Sequence, residues 1–552
     1  MKKIIAVVLC LCMVIAILAG CSKAETPSSS TPSSSTPSSS TPASSSEPST
    51  PASSEEPSQD DNLTPAEKAI AERKASGQNT KVVFAFFDWI GALAGTERIQ
   101  NRINEITTER YGIEVELLVL DSATFSTQVP LMIIAGEPLD IFAVGGIGYT
   151  SAVNNGYVYD MNQDNLIQNY GTDILAYNDP LYLKACSAGD ALYAIPPVKE
   201  VAMGCGVLCI AAEYLDAIGY DYESKWDDES KETIKSSYDE LEPIFEQLHE
   251  KFPDKAVLAG PVGGLGTAFI DPIANDYYGV LMDPVNSLEI SNGYESDLYW
   301  DLCRRAYKYN QAGYYPGDIL TSNIPAGARI GAGTAMATGG PGKPGYRAQI
   351  SSECSKDMIV FALGPDLVRS SVPQTVCWGL GYNTKEPVAA MQLLNAFYGD
   401  ADLSNLLCWG EEGVEYKVLD NGTIDYCDGV TRSTCEYATD VQWEMPNELL
   451  SHPWHTDTPD LWDRMRAFNE AAGRSLALGF NWDNADYATQ FTALENVRTE
   501  YESPLMLGFY DPEEKIPEFV ERLKGVGLDD YIAAKTAALT EWATEKGLAD
   551  KL

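Results

Sequence analysis

The order of apolar segments between residues 82 and 144 constrains the fold more than any other feature. Residues 82–87 read VVFAFF, a continuous apolar run suited to a strand buried on both faces. Residues 96–110 place Ile99, Ile103 and Ile106 on one helical face, and Gly112 ends the helix. Residues 113–120 (IEVELLVL) alternate as a strand does. Residues 125–135 form a second predicted helix, bent or restarted at Pro130 and stopped by Gly136. Residues 139–144 (LDIFAV) give a third strand. The order β-α-β-α-β predicts a right-handed parallel unit and therefore an α/β fold. In open parallel sheets, ligands bind beyond the carboxyl ends of the strands. Asp88 and Trp89 stand there after the first strand, and the run Gly145, Gly146, Ile147, Gly148, Tyr149 after the third. The first pair offers a carboxylate and an aromatic ring. The second offers glycines that allow close backbone approach, followed by a tyrosine. The same residues also suit a plainer reading, with Trp89 and Tyr149 at the core or rim and the glycines simply turning the chain.

Further landmarks follow the same logic. Residues 189–196 (GDALYAIP) form a turn and short strand that lead into Lys199 and Glu200. Residues 213–251 are helical and acidic, and the run 221–242 reads as a solvated face. Residues 331–341 (GAGTAMATGGP) are a short strand opening into a glycine-rich loop that includes Gly340, and 358–363 form another strand. Residues 376–382 (VCWGLGY), containing Trp378, lead to a helix over 387–398 that starts with Pro387 and turns Val388, Met391 and Leu394 inward. Residues 415–426 predict a hairpin, with Asn421-Gly422 as a type I′ turn. Asp511, Pro512, Glu513 and Glu514 start a helix that Gly525 ends, and a last helix spans 529–546.

The N-terminus carries an address. After Met1-Lys2-Lys3 comes an apolar run over 4–18, shorter than the roughly 20 residues of a membrane span. Residues 1–20 therefore read as a signal peptide. The end, Leu18-Ala19-Gly20-Cys21, resembles a bacterial lipobox, which implies that Cys21 becomes the lipidated (palmitate-bearing) first residue of the mature chain. An ordinary secretory cleavage site with an incidental cysteine is the alternative. Residues 21–62 are a linker. It contains Thr-Pro-Ser-Ser-Ser three times in succession and, over 26–60, nothing large and apolar to bury, so it is expected to be disordered. In extended form it reaches on the order of 100 Å.

Charge and motifs narrow the function. A net charge of −42, from 38 Lys+Arg against 80 Asp+Glu, excludes electrostatic binding of nucleic acid. It also disfavours docking of the folded body on anionic lipid. Nine cysteines follow Cys21 without a C-x-x-C pair, so neither a zinc ribbon nor a thioredoxin motif is indicated. Most lie in apolar contexts as buried thiols, and Cys427–Cys435 is the spacing best suited to a bridge. His249, His452 and His455 fit no metal spacing. No P-loop, G-x-S-x-G elbow or dinucleotide fingerprint occurs, so no cofactor is expected. A glycosidase working through two carboxylates stays open, as does a surface adhesin.

Together these landmarks resemble a family. The lipobox, the β-α-β-α-β opening, GDALYAIP, GTAMATGGPG and VAAMQLLNAFYGDADLSNLLCWG occur in the order seen in family 1 (maltodextrin-type) extracellular solute-binding proteins, the capture components of carbohydrate ABC importers. The stretches WGEEGVEYKVLDNGTIDY, SLALGFNWD and 496–547 are similar to a subgroup that ends in a domain of unknown function. The resemblance implies a two-lobed, type II periplasmic-binding-protein-like fold with a cleft between lobes and a helical C-terminal extension. It implies lobe 1 at 63–198 with 361–380 returning, lobe 2 at 199–360 with 381–410, and a C-terminal domain at 411–552 packed on lobe 2. The implied ligand residues are Asp88, Trp89, Gly146, Tyr149, Lys199, Glu200, Gly340 and Trp378. Of these, Trp89, Tyr149 and Trp378 would stack on sugar, and Asp88 and Glu200 would hydrogen-bond. One departure is that Gly342-Lys343-Pro344 follows Pro341 where the family carries a tryptophan. Tyr277, Tyr278 or Tyr315 would then replace it. The implied function is that of a monomeric, lipid-anchored extracellular protein that captures an oligosaccharide by hinge closure and delivers it to an ABC permease. It would touch the membrane only through its lipid, and neither metal, cofactor nor catalysis is implied. A cell-surface glycoside hydrolase and an oligopeptide-binding protein are the alternatives.

Overall fold

The computed structural model describes residues 63–552 apart from 90, 203–205, 228, 229, 262 and 440. The signal peptide, Cys21 and the linker to residue 62 lie outside the described residues, as does Cys205.

The first sheet is built around β1 (Thr80–Asp88), β2 (Ile113–Asp121) and β3 (Ile141–Ala143). β1 pairs in parallel with both others, and the strand Trp378–Leu380 closes the far side antiparallel to β3. β1 is buried continuously from Val82 to Asp88, whereas the first half of β2 alternates. The helix Thr96–Tyr111 buries Ile99, Ile103 and Thr107 and stops at Gly112, whose φ of 67° lies in the left-handed region. Asp121 caps the helix Ser122–Ala135 by accepting from the backbone N–H of Thr124.

The second sheet has the order Ile234–Lys235, Met358–Ala362, Gly206–Ala211, Ala335–Pro341, Ala256–Leu258. The acidic stretch before residue 251 breaks into the helices Ala212–Ile218 and Tyr238–Lys251 with the short strand between them. The second helix packs Leu241, Ile244, Phe245 and Leu248 on the second core.

A third core joins residues 265–303 to 477–543. Its helices are Asp297–Gln311, Ala488–Met506, Pro512–Gly525 and Leu528–Glu545. At its centre Lys535 Nζ lies 2.6 Å from Asp276 Oδ1, and both side chains are buried.

The expected domain boundaries change accordingly. The resemblance implies that residues 381–410 belong to the second lobe, but the helices Pro387–Gly399 and Ala401–Trp409 bury Met391, Leu394, Phe397 and Leu407 in the first core beside β1. Phe361 is a strand residue of the second sheet, not part of the return to lobe 1. Residues 411–552 are not one unit: Tyr437, Val441 and Met445 belong to the first core, and 477–543 to the third. Apolar spacing marks these segments as buried without saying against what.

Three segments connect the sheets side by side. Ile195 bridges Trp378, and the Val198 N–H donates to Pro446 O at 2.9 Å. Asn469 Oδ1 accepts from the Val201 N–H at 2.9 Å, and its Nδ2 donates to Lys199 O at 2.8 Å. Leu367–Val368 pairs in parallel with Gly473–Arg474. Val201, Ala202, Val368 and Leu478 pack together here as a small cluster apart from the three cores.

Two local expectations also differ. The strands Tyr416–Val418 and Ile424–Tyr426 pair as a hairpin, but only Gly422 in the loop has positive φ, at 88°. A type I′ turn needs positive φ at both central residues. Here Gly422 N–H instead closes on Leu419 O at 2.9 Å, and Leu419 N–H on Thr423 O at 2.8 Å, giving a longer loop. Cys427 and Cys435 are free thiols, as are the other six described cysteines.

Candidate ligand-binding cleft

A cavity of about 1020 Å³ opens at the carboxyl end of β1. Trp89 lines it from the first lobe, and Lys343, Pro344 and Gly345 line it from the loop after the strand Ala335–Pro341. The irregular segment 408–465 supplies most of the rest, including Trp409, Tyr426, Trp443, Glu448, Trp454 and Asp457. That segment is tied to both lobes. The Gly95 N–H donates to Glu436 O at 2.8 Å, and Arg98 pairs with Glu415 on the first lobe. Arg464 meets Glu232 at 2.7 Å, and the Gly345 N–H donates to Glu232 Oε2 at 2.8 Å on the second.

Trp89 is 55% exposed at the end of a buried strand. Its ring lies 6.4 Å from Trp443, tilted by 34°, and meets the Phe87 edge at 5.5 Å. Lys199 Nζ sits 5.0 Å from the Trp443 ring centroid, in cation–π range. An exposed, supported aromatic surface with polar groups around it is what an amphipathic ligand such as a sugar requires.

Behind Lys343 and Glu448, which line the cavity, a charged and buried cluster underlies it as a floor. Lys199 Nζ meets Glu200 Oε1 at 3.1 Å, and Lys343 Nζ reaches the same oxygen at 3.5 Å from the second lobe. Burial raises the Glu200 pKa, but the two lysines outweigh it and hold the carboxyl below its usual value. Glu448 is raised to about 7 by burial and then by the charge of Glu200. Burial and then Asp88 push Glu444 well above the ordinary range. Burial and then Glu232 raise Asp457 to about 6.

The other expected ligand residues play different parts. Asp88 is buried and accepts from Thr439 Oγ1 at 2.9 Å, which ties segment 408–465 to β1. Trp378 is fully buried in the first sheet: its ring stacks on Phe84 at 4.6 Å and its Nε1 donates to Glu444 O at 2.8 Å. Tyr149 faces the first core from the helix Tyr149–Asn154, and its hydroxyl accepts from Asn481 Nδ2 at 3.4 Å. Neither ring offers a face to a ligand. Gly146 permits packing, because a Cβ there would fall 2.7 Å from the Phe125 ring. Gly340 does likewise, since a Cβ would fall 1.9 Å from the Tyr346 hydroxyl. Tyr278 and Tyr315 are buried in the third and second cores, and Tyr277 packs against the third; the tryptophan-less loop contributes Lys343 instead.

Sequence reasoning missed Trp409, Tyr426, Trp443 and Trp454. The available signal was compositional: 408–465 holds Trp409, Trp443, Trp454 and Trp462, four of the chain's 10 tryptophans, in a stretch without core periodicity.

Residues 476–544 match the family model described as a domain of unknown function, DUF3502. A carbohydrate ABC transporter substrate-binding protein of Streptococcus pneumoniae is 22% identical over 459 residues, covering 82% of this chain and 89% of that protein. Over most of its length the chain is thus similar to a substrate-binding protein of an ABC transporter. Its two-lobed fold is that of NgtS, the N-glycan transport solute binding protein of S. pneumoniae. The TM-score is 0.73 at 21% identity, over 85% of this chain and 100% of NgtS. Against NgtS in complex with Man5GlcNAc the TM-score is 0.65 at 21% identity, over 85% of this chain and 99% of NgtS.

Proposed function

We propose that this protein captures an extracellular oligosaccharide in the cleft by closure of its two lobes and hands it unchanged to an ABC importer. In this reading a lipid on Cys21 holds it at the outer face of the membrane, and the linker sets its reach. The observation that carries the reading is Trp89, half-exposed on a rigid strand end and backed by Trp443, facing a loop of the second lobe across one cavity. The sugar-transport roles of the S. pneumoniae relatives support an oligosaccharide as cargo. The lower overlap with glycan-bound NgtS supports closure, because lobes that rotate on binding change the superposition more than the fold. The three adjacent crossing segments supply the hinge. A ligand touching both lobes favours the closed state by its extra contacts there. Glu200 is engaged by two lysines and is thereby unsuited to act as the general acid on a glycosidic bond.

Titration calorimetry against neutral oligosaccharides and oligopeptides, with chromatography of the recovered ligand, tests this. Saturable binding of intact oligosaccharide is expected, with a more compact molecule by X-ray scattering. Trp89→Ala is expected to weaken binding by tenfold or more, about 1.4 kcal/mol per tenfold. Shortened sugar chains, or binding of peptides alone, would overturn the reading.

A further inference from the structure

The cavity contains a second aromatic surface, carried by segment 408–465 alone. Trp409 and Trp454 lie 5.4 Å apart, tilted by 30°, and Tyr426 meets Trp454 edge-on at 4.7 Å. All three line the same cavity as Trp89 and none is fully buried. Two polar atoms beside them lack a hydrogen-bond partner among the described residues: Trp409 Nε1, a donor, and Asp457 Oδ1, an acceptor. Buried polar groups in native proteins are nearly always paired, and these two are sealed from solvent, so a ligand pairs them only as the wall shifts around it on closure. A hydroxyl-rich ligand satisfies both kinds at once. The volume points the same way. About 1020 Å³ lies at the upper end of the roughly 300–1,000 Å³ common for small-molecule sites, so a disaccharide seated on Trp89 leaves much of the wall uncovered.

We infer that Trp409, Tyr426 and Trp454 form a second sugar subsite, through which the protein selects longer oligosaccharides over short ones. This rests on the oligosaccharide-capture reading above. The mechanism is additive contact within one ligand. Units on the Trp89 and Trp443 surface hold any chain, and units reaching Trp454 add stacking area and the two missing hydrogen bonds. A chain too short to span both surfaces gains only the first.

The test is calorimetry with neutral oligosaccharides of increasing length, from disaccharide to octasaccharide and in branched form, on the whole folded chain. For the unaltered protein, affinity is expected to rise at least tenfold between the short and the long members. Trp454→Ala is expected to remove that gain while leaving the shortest binding chain within about twofold. Trp409→Phe keeps an aromatic ring, though a smaller one, and removes the Nε1 donor. It is expected to cost long chains about tenfold, as loss of one buried hydrogen bond does, and its melting temperature checks that the fold is intact. Equal weakening of short and long chains, or none, overturns the second subsite but leaves the capture function standing. Failure of every oligosaccharide to bind overturns both.

Discussion

Two places in this molecule bury lysine beside carboxylate, and they are satisfied to different degrees. In the third core, Asp276 accepts from Lys535 Nζ at 2.6 Å, the Tyr531 hydroxyl at 2.8 Å and the Tyr278 N–H at 2.8 Å. The Lys535 ammonium also donates to Ile273 O at 3.1 Å and Gly279 O at 3.3 Å, which uses all three of its protons. On the cleft floor, Lys199 and Lys343 both turn to Oε1 of Glu200, while its Oε2 has no donor among the described residues. Both carboxyl oxygens of Glu444 are likewise unpaired there. A fully connected buried network fixes one geometry, whereas a half-connected one is strained and open to rearrangement. The saturated site fastens the C-terminal helices to the loop at 271–279. The unsaturated site lies where the chain crosses between lobes.

The largest effect should come from breaking the saturated site. Lys535→Met leaves Asp276 buried without its cation and is expected to cost about 3–5 kcal/mol. Chemical denaturation followed by fluorescence measures it, since Trp482 lies against Lys535. The double variant Lys535→Met, Asp276→Asn should recover part of that loss. If Lys535→Met is as stable as the parent, the contrast between the two sites fails at its stronger end.

The cleft floor should announce itself through pH. The native carboxyl of Glu448 titrates at about 7, against 4.5 ordinarily. Between those values the native chain binds more protons than the unfolded one, so stability falls as pH rises through that window and levels off above 7. The size is on the order of 3 kcal/mol. Asp457, at about 6, adds a fall of the same sign that ends earlier. Glu200, held below its usual value, contributes stability that is lost on acidification through its lowered pKa, the opposite direction. Glu448→Gln should flatten the slope above pH 5 and raise the melting temperature at pH 8. An unchanged pH profile in that variant would falsify the assignment.

Most of the first sheet was legible in the sequence, because continuous burial in β1 and the isoleucine spacing of the helix Thr96–Tyr111 are local signals. Trp89 was legible for the same reason: a parallel sheet puts ligands at strand ends. What was not legible depends on partners remote in sequence. Trp378 reads as a loop aromatic until β3 pairs with it. Gly146 and Gly340 look alike whether a ligand or a ring approaches them, and the rings of Phe125 and Tyr346 decide it. The helix Pro387–Gly399 announces a buried face, but nothing local says which core receives it. Segment 408–465 supplies most of the cleft lining, and outside its hairpin at 415–426 no periodicity announces it.

The smallest expected effect tests the contrast at its weaker end. Lys343→Met removes the one lysine that reaches Glu200 from the second lobe, yet Glu200 keeps Lys199 at 3.1 Å. Removing Lys343 also removes the burden of desolvating an ammonium, which offsets much of the lost attraction. A net change of about 1 kcal/mol or less is therefore expected, several times below that of Lys535→Met. The consequence should appear in geometry instead. With no charge linking the second lobe to the crossing segment, the unliganded chain should scatter as a more open particle, and Glu448 should titrate higher because a neighbouring cation is gone. A loss as large as that of Lys535→Met, with unchanged scattering, would make the floor a second fixed joint and place the hinge motion elsewhere in the crossing segments.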